Sequence, residues 1–240
     1  MNADPPRKTP LWQAIAETLR ADIAEGRYAE GARLPTEAEL AARFGVNRHT
    51  VRHAMSHLVD DGLVRTRRGA GAFVTARPTD YPIGARVRFH RNLLAAGRTP
   101  DKRLLHVEQS PAPDRVARRL KLPAGAPVCI YHGLSLADGQ PVALFQSHFP
   151  AERFPGLAER LQAVPSVTRA LAGYGVSDYT RSSTRLSARP ADATQALHLG
   201  LAEGAPLLFS EGVNVDPDGV PVEYGLTWFA GERITLTLEE

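Results

Sequence analysis

Helical periodicity of apolar residues dominates the first quarter of the chain. One amphipathic stretch runs from Trp12 to Ile23 and ends near Gly26, and a shorter one places Leu40 and Phe44 four residues apart. A third stretch puts its apolar residues on a single helical face: Val51, Ala54, Met55, Leu58 and Val59. The pattern predicts three short helices that share one core.

Capping residues mark the ends of the second and third helices. Thr36 can cap the second helix, and Glu39, three residues later, can close a capping box. Gly45 ends that helix, Asn47 caps the third, and Gly62 ends it. The second and third helices are therefore predicted to be joined by a tight turn.

A basic hairpin is predicted after the third helix. Leu63 to Arg65 begin a strand that returns through Phe73 and Val74, and the turn at 66–71 holds two arginines and two glycines. Glycines permit positive φ and close approach of the backbone to a partner, and arginines bind phosphates. Two helices, a tight turn and a basic hairpin are the layout of a winged helix-turn-helix DNA-binding head.

The polar face of the third helix carries residue types that can contact bases. Arginine forks onto guanine, and threonine reaches a base edge or a phosphate. The sequence predicts these DNA contacts: Arg33, Thr36, Asn47, Arg48, His49, Thr50, Arg52, Arg67, Arg68, Gly69 and Gly71. A basic surface loop on an unrelated helical domain is the alternative interpretation.

The pattern changes after residue 84 to short strands and helices. Asp138-Gly139 and the segment 216–219 are typical hairpin turns. Successive hairpins with few helices predict an α+β fold with a mainly antiparallel sheet. Strands are predicted at 104–109, 128–136, 142–149, 180–188, 206–215, 222–229 and 234–238, and helices at 88–96, 114–120, 166–174 and 191–199.

Composition sets further bounds. A chain of 240 residues with 43% hydrophobic content is long enough for two compact domains. The whole net charge of +3 lies in residues 1–77, which hold 12 Lys and Arg against 9 Asp and Glu. Cys129 is the only cysteine, so neither a disulfide nor a cysteine-rich zinc site is expected. Because no apolar run has the length of a signal peptide or a membrane span, we expect a cytoplasmic protein.

Three segments carry a resemblance to a known family. LPTEAELAARFGVNRHTVRHAMSHLVDDGLV resembles the DNA-binding heads of the GntR family of bacterial transcription regulators. RSSTRLSARPADATQALHLGLAEGAPLLFSEGV and DGVPVEYGLTWFAGERITLTL resemble the UTRA effector domain of its HutC branch. A narrower resemblance, to regulators of phosphonate metabolism, is carried by DYPIGARVRFHRNLLAAGRTP together with the third helix.

The resemblance implies an architecture and a mode of action. A flexible tail at 1–10, a winged head at 11–76, a linker at 77–84 and a chorismate-lyase-like UTRA domain at 85–240 are expected. The implied homodimer binds an operator with inverted repeats, whose half-sites lie about 34 Å or a multiple of it apart. It is expected to repress genes for phosphonate uptake and catabolism. The implied effector is a small phosphorus-containing anion, and neither a cofactor nor a membrane contact is expected.

Effector-site residues are carried over from the resemblance by position: Arg88, Phe89, His90, Ser166, Thr168, Arg181 and Glu223. Arginine suits phosphonate oxygens, a helix start at Ser166 offers free N–H groups to an anion, and Glu223 could bind an effector amine. The alternatives are that Arg88 points away from the effector, that Ser166 only caps its helix and that Glu223 is a surface residue. Alternation along the strand predicts that Arg181 and Arg185 share a face.

The chain departs from the family pattern in the hairpin around Asp138-Gly139. Many family members have arginines near the positions of Gly133 and Ser135, and a glutamate where Phe145 stands. Two usual anion ligands are therefore missing, and this disfavours a sugar-phosphate effector.

Two other functional classes fit parts of the sequence. A regulator of another pathway, sensing a sugar phosphate, an amino acid or urocanate, would share the fold. A lyase-like enzyme would share the fold of the second domain, but the chain has no nucleophile elbow, P-loop or HExxH motif. His53 and His57, four residues apart, can hold a metal in principle, although exposed positions on the DNA helix are the simpler interpretation.

Overall fold

The computed structural model describes residues 10–67, 69–75, 78–84 and 89–238. The chain divides into two compact units, Met1–Arg77 and Pro78–Glu240. Within the described ranges, no helix is long and apolar enough to cross a membrane. The predictions for Arg68, for Arg88, for the side chain of Arg67 and for the tail at 1–9 lie outside the described residues.

The first unit has three helices followed by a hairpin: α1 (Leu11–Ala24), α2 (Glu37–Phe44), α3 (Arg48–Asp60), β1 (Val64–Arg67) and β2 (Gly71–Val74). The two strands pair antiparallel. Leu19, Leu40 and Leu58, one from each helix, are fully buried in one cluster. Burying each of these side chains stabilises the unit by about 1.5–3 kcal/mol. The predicted three-helix core is confirmed.

The helix ends are those that the capping residues predicted. The Glu39 N–H donates to the Thr36 hydroxyl at 3.3 Å, and the Thr36 N–H donates to the Glu39 carboxylate at 2.7 Å. Gly45 ends α2 with φ +64°, in the left-handed region that glycine adopts without strain. The Asn47 side chain accepts the Thr50 N–H at 2.9 Å and so begins α3.

The second unit alternates strands with short helices: β3 (Thr79–Pro82), α4 (Phe89–Ala95), β4 (Pro100–Pro111), α5 (Asp114–Leu120), β5 (Pro127–Ala137), β6 (Gln140–Pro150), α6 (Leu157–Ala163), α7 (Val167–Ala172), β7 (Thr180–Pro190), α8 (Ala193–Leu199), β8 (Pro206–Val215), β9 (Pro221–Ala230) and β10 (Ile234–Thr237). Six of the strands form one antiparallel sheet in the order β4-β5-β6-β9-β8-β7. β3 and β10 pair in parallel as a separate ribbon. The predicted α+β fold with a mainly antiparallel sheet is confirmed.

The hairpin of β5 and β6 turns at the predicted pair. Asp138 and Gly139 have φ of +49° and +76°. Positive φ at both central residues is what a type I′ hairpin turn requires, and it matches the twist of the two strands.

Alternation along the sheet strands separates two apolar layers. On one face, Cys129 and Tyr131 of β5 pack with residues of α6 and α7. On the other face, Val128 and Ile130 of β5 pack with α5, and Leu134 packs with α8. The first of these faces also carries a separate cluster at the end nearest β3, β10 and α4. A gap between the two clusters on that face is the place of the cavity described below.

Two elements of the second unit differ from the sequence prediction. α6 (Leu157–Ala163) was not predicted, and its N-cap, Gly156, makes no side-chain cap hydrogen bond. β3 lies inside the segment 77–84 that was predicted as a linker, and its strand pairs with β10 near the other end of the chain. Local periodicity does not carry a pairing between segments so far apart.

Candidate functional site

The polar face of α3 presents several of the predicted DNA contacts to solvent. Arg48 and His49 are exposed, and Thr50 is half-buried. The Thr50 hydroxyl donates to Asn47 Oδ1 at 3.0 Å. Asn47 is therefore occupied as the cap of α3. Within the described residues, the Arg48 guanidinium has no hydrogen bond or ion pair, so all its donors remain available to DNA.

Arg52 is held by a carboxylate of the preceding helix. Its Nε donates to Glu37 Oε1 at 3.1 Å and its Nη2 to Glu37 Oε2 at 2.8 Å. The hydrogen bond from Arg52 lowers the pKa of Glu37, which therefore stays ionised at neutral pH. This contact uses the Nε edge of the guanidinium and fixes its plane. Donors on the two terminal nitrogens remain directed away from Glu37.

The turn of the hairpin is built on glycine. Gly69 and Gly71 have φ of +75° and +107°. The Arg33 side chain lies across Gly71, and a Cβ there would be 3.0 Å from its Nε. Gly71 therefore provides both the backbone conformation and the space for Arg33, which is exposed beside the turn.

His53 and His57 belong to a contact between α1 and α3. The His53 ring stacks on Trp12 with centroids 4.2 Å apart, and the His57 ring lies 5.3 Å from the same indole. The His57 Nδ1 is 3.0 Å from Asp61 Oδ2. In the part of the chain that is described, no three His, Cys, Asp or Glu side chains are grouped to hold a metal.

A cavity of about 750 Å³ lies on one face of the six-stranded sheet. Strand side chains form its floor, β3 with α4 lines one side, and the segment that begins α7 lines the other. Its volume is in the range of small-molecule sites. The structure brings together at this cavity six residues of the predicted effector set: Phe89, His90, Ser166, Thr168, Arg181 and Glu223.

The hydroxyls at the start of α7 already have partners. Ser166 Oγ accepts the Arg169 N–H at 3.4 Å, so it caps the helix, and Thr168 Oγ1 is 3.0 Å from the Tyr179 hydroxyl. α7 has only six residues. Its dipole is therefore small, and an anion in the cavity has to be held mainly by charged side chains.

Arg181 and Arg185 lie on opposite faces of the sheet, so the prediction that they share a face was wrong. Arg181 is paired with Asn214 and Arg185 with Glu211, and a bulge lies between Arg181 and Ser183. The extra residue of a bulge reverses the alternation beyond it. Arg181 consequently faces the cavity and Arg185 faces away.

Gly212 lets Arg181 lie flat on the sheet. A Cβ at Gly212 would be 1.5 Å from Arg181 Nη1, so the guanidinium occupies the space that any other residue would fill. Arg181 Nε is buried without a hydrogen-bond partner. A buried cationic donor with no partner is costly unless a ligand supplies an acceptor.

Lys102 is a second cavity cation, and the sequence analysis missed it. It lies on β4 opposite Ser135, and its ammonium is 4.9 Å from the centre of the Phe145 ring. Burial lowers its pKa, and the charge of Glu223 partly opposes that shift. Among the described residues it contacts no carboxylate. The predicted strand began at residue 104, so no local pattern placed Lys102 on the sheet.

Phe145 and Gly133 are packed as a unit in the cavity wall. A Cβ at Gly133 would be 2.6 Å from Phe145 Cζ and 2.8 Å from the Arg103 carbonyl oxygen. The glycine is therefore required by the ring that lies over it. Gly133 and Phe145, two positions at which the sequence was expected to depart from the family pattern, thus form one apolar surface.

Glu223 is fixed by two buried neutral donors. The Ser147 hydroxyl donates to Glu223 Oε1 at 2.6 Å, and Asn214 Nδ2 donates to Glu223 Oε2 at 2.6 Å. Ser147 and Asn214 are each 6% exposed. The cavity thus holds a carboxylate fixed by neutral groups and two cations without a carboxylate partner, an arrangement suited to binding a charged small molecule.

Comparison with known proteins agrees with this two-part architecture. Residues 11–74 match the family of bacterial regulatory proteins, gntR family, and residues 95–235 match the UTRA domain. The chain is 40% identical over 230 residues to an uncharacterized HTH-type transcriptional regulator of Rhizobium meliloti (strain 1021), covering 95% of this chain and 94% of the relative. It is 34% identical over 231 residues to the probable transcriptional regulator PhnF of Escherichia coli (strain K12), with the same coverage.

A solved structure shares the whole fold. The crystal structure of PhnF from Mycobacterium smegmatis superimposes with a TM-score of 0.67 at 29% identity and covers 94% of this chain and 98% of that one. The family resemblance of the sequence is thereby confirmed for both parts of the chain. The chain belongs to the GntR family of bacterial transcriptional regulators and, through its UTRA domain, to the HutC branch of that family.

Proposed function

We propose that this regulator represses genes for phosphonate uptake and catabolism and that a small phosphorus-containing anion bound in the cavity controls its binding to DNA. The observation that carries the proposal is the pair of cavity cations, Lys102 and Arg181, neither of which contacts a carboxylate in the described residues. A phosphonate or phosphate group carries the charge and the acceptor oxygens that two such cations lack.

The shape of the cavity favours a compact ligand over a sugar phosphate. Phe145 lies over Gly133 and presents an apolar surface where a sugar ring needs polar partners. Relatives that carry the name PhnF and the segment DYPIGARVRFHRNLLAAGRTP favour the same assignment. A regulator that responds to sugar phosphates, amino acids or urocanate is the alternative.

Regulation requires that the effector binds one arrangement of the protein more tightly than another. Tyr81, Ile83, Phe89 and His90 line the cavity and follow the first unit closely in the chain. We propose that a ligand in contact with this segment biases the position of the DNA-binding heads. The heads are expected to act in a homodimer on inverted half-sites.

The test is operator binding in the presence of candidate ligands. Fluorescence anisotropy with DNA from upstream of the neighbouring genes is expected to respond to methylphosphonate, and not to glucosamine 6-phosphate. The variant with Lys102→Met and Arg181→Met should bind this DNA normally and lose the response. Arg118→Met is the matched control, because Arg118 is exposed and lies outside the cavity.

Three outcomes would contradict the proposal. A response to glucosamine 6-phosphate alone would move the regulator to another pathway. An unchanged response in the double variant would place the effector elsewhere. Sedimentation of a monomer at micromolar concentration that still binds the palindromic site with full affinity would exclude the homodimer.

A further inference from the structure

The charges on the cavity floor have both signs, and the two signs are kept apart. Arg181 on β7, Asn214 on β8 and Glu223 on β9 lie in one row, because Arg181 pairs with Asn214 and Asn214 with Glu223. The Arg181 guanidinium lies over Gly212 of β8, and the Glu223 carboxylate reaches to within 3.7 Å of the Cβ position of Gly225, the register partner of Gly212 on β9. The two charged groups are therefore about one strand spacing, roughly 5 Å, apart. A positive and a negative group are thus adjacent on the floor without an ion pair.

The Glu223 carboxylate can accept further hydrogen bonds, and in the described residues it forms no ion pair. A carboxylate has about four lone-pair directions, and Ser147 and Asn214 each use one. In the described residues no Lys or Arg nitrogen lies within ion-pair distance of it. Both of its partners are buried and neutral, so they orient the carboxylate without neutralising its charge. A half-buried carboxylate in this state gains most from a ligand cation.

Lys102 completes the arrangement from the other side. Its ammonium lies beside Phe145, which is two residues from Ser147 on β6, and so approaches Glu223 without contacting it. In the order of the strands, Glu223 on β9 lies between Lys102 on β4 and Arg181 on β7, and its charge acts on Lys102. Among the described residues, neither cation contacts a carboxylate. A ligand with only a negative charge would bind Arg181 and Lys102, but it would be repelled by the carboxylate of Glu223.

We propose that the effector is a zwitterion, a phosphonate with a primary amine on a short carbon spacer, whose ammonium group binds Glu223 while its anionic group binds Arg181 and Lys102. This inference rests on the proposed function for the anionic group and adds the second pole. The Arg181 guanidinium lies over Gly212 of β8, and Glu223 Oε1 lies near Gly225, the register partner of Gly212 on β9. The two charges are thus about one strand spacing apart, which suits a spacer of about two carbons.

The test compares ligands that differ only in charge. 2-Aminoethylphosphonate and n-propylphosphonate have the same shape, because a methyl group replaces the ammonium, and β-alanine keeps the ammonium and replaces the phosphonate with a carboxylate. Isothermal titration of the full chain should give 2-aminoethylphosphonate an affinity about tenfold to a hundredfold higher than that of n-propylphosphonate. Glu223→Gln should remove this difference while n-propylphosphonate binds as well as before, or better.

The outcomes separate this inference from the proposed function. Equal affinity for both phosphonates in the parent protein overturns the zwitterion and leaves the phosphorus effector intact. A Glu223→Gln variant that loses both phosphonates equally would mark Glu223 as structural and also overturn the inference. Binding of β-alanine alone, sensitive to Glu223→Gln, would keep the two-pole site and overturn the phosphorus effector. If none of the three ligands binds, both the zwitterionic effector and the phosphorus-containing effector are overturned. The comparison of ligands uses the parent protein, so it does not depend on whether a variant folds.

Discussion

The two candidate sites of this regulator are assembled in opposite ways. In the head, the contact residues at 47–52 lie on α3 or at its N-cap, and hydrogen bonds from Thr50 to Asn47, three residues apart, fix the start of that helix. In the cavity, Glu223 is held by Ser147, which is 76 residues away in the chain. A site on one helix can be located from periodicity and capping, whereas a site on a sheet floor depends on which strands pair and in which register.

The two sites also differ in how far their charged groups are exposed to solvent. Arg48 is exposed on the head, where salt screens its charge and DNA binding releases counterions. Arg181 and Lys102 are half-buried in the cavity, where screening is weaker and an unpaired charge is more costly. The head is therefore suited to reversible contact with a polyanion, and the cavity to discrimination among small ligands.

The largest effect is expected from Gly133→Ala, which attacks long-range packing. The new Cβ would meet the Arg103 carbonyl oxygen at 2.8 Å, and a backbone atom cannot retreat as a side chain can. The free energy of unfolding of the second unit should fall by about 2–3 kcal/mol in urea titrations. Gly225→Ala is the control, since its Cβ meets no atom closer than 3.7 Å. Equal losses in the two variants would remove the packing argument.

The sequence predicted most of the fold for reasons that these residues illustrate. Thr36, Asn47 and the Asp138-Gly139 pair act within a few residues of themselves, so their effects are visible in any local window. Amphipathic alternation likewise predicted most strands of the sheet. β3 was missed because it is defined by a partner strand far along the chain, and α6, whose N-cap makes no side-chain hydrogen bond, was missed as well.

The cavity could be predicted only in part. Family resemblance gave Arg181 and Glu223 but no neighbours for them, and the bulge after Arg181 reversed the alternation on which Arg185 was placed. Lys102 carries no local signal, because its position follows from pairing with Ser135. The orientation of Glu223 depends on two donors from other strands.

Arg48→Ala tests whether the exposed arginine of the head contacts DNA bases. An exposed arginine with no partner in the described residues can form both bonds to guanine, so its loss should weaken operator binding by about 2 kcal/mol and relax the base preference. Anisotropy on operator and on scrambled DNA measures both effects. Arg27→Ala is the charge-matched control, because Arg27 pairs with Asp22 at the end of α1. An equal loss on both DNAs would make Arg48 a phosphate contact.

Gly212→Ala tests the cavity without changing a charge. The added Cβ occupies the place of Arg181 Nη1, so the guanidinium must move off the floor. The affinity for n-propylphosphonate should fall about tenfold, equivalent to about 1.4 kcal/mol. Gly225, the register partner of Gly212, again supplies the control. If both alanine variants bind the ligand like the parent, Arg181 does not hold the anion.

Thr36→Ala tests whether a change in the cap of α2 affects the head alone. It removes one half of the capping box of α2, which should cost about 1 kcal/mol of the stability of the head. Calorimetry of the full chain should show a lower transition for the head. Titration with n-propylphosphonate should be unchanged, and a parallel loss of ligand affinity would mean that the two sites are coupled more tightly than their construction suggests.

The smallest effect concerns pH and separates buried from exposed carboxylates. Burial opposes the ionisation of both Glu211 and Asp216. Arg115 and Arg119 nevertheless hold the pKa of Glu211 below its ordinary range, and Arg153 does the same for Asp216. A carboxyl whose pKa is lower in the folded protein stabilises it fully above an unfolded pKa of about 4, and this stabilisation is lost as the pH falls through the folded value.

The unfolding temperature of the second unit should therefore fall below about pH 4 as these carboxyls are protonated. A shallower fall should begin below about pH 6.5, because burial lowers the pKa values of His132 and His148. In the head, the backbone N–H of Thr36 lowers the pKa of the exposed Glu39 in the same direction. Because salt screens exposed charges more than buried ones, about 0.5 M NaCl should flatten the pH dependence of the head and leave that of the second unit. Asp216→Asn should reduce the pH dependence of the unfolding temperature of the second unit. Equal salt sensitivity of the two units would contradict the contrast between an exposed site and a buried one.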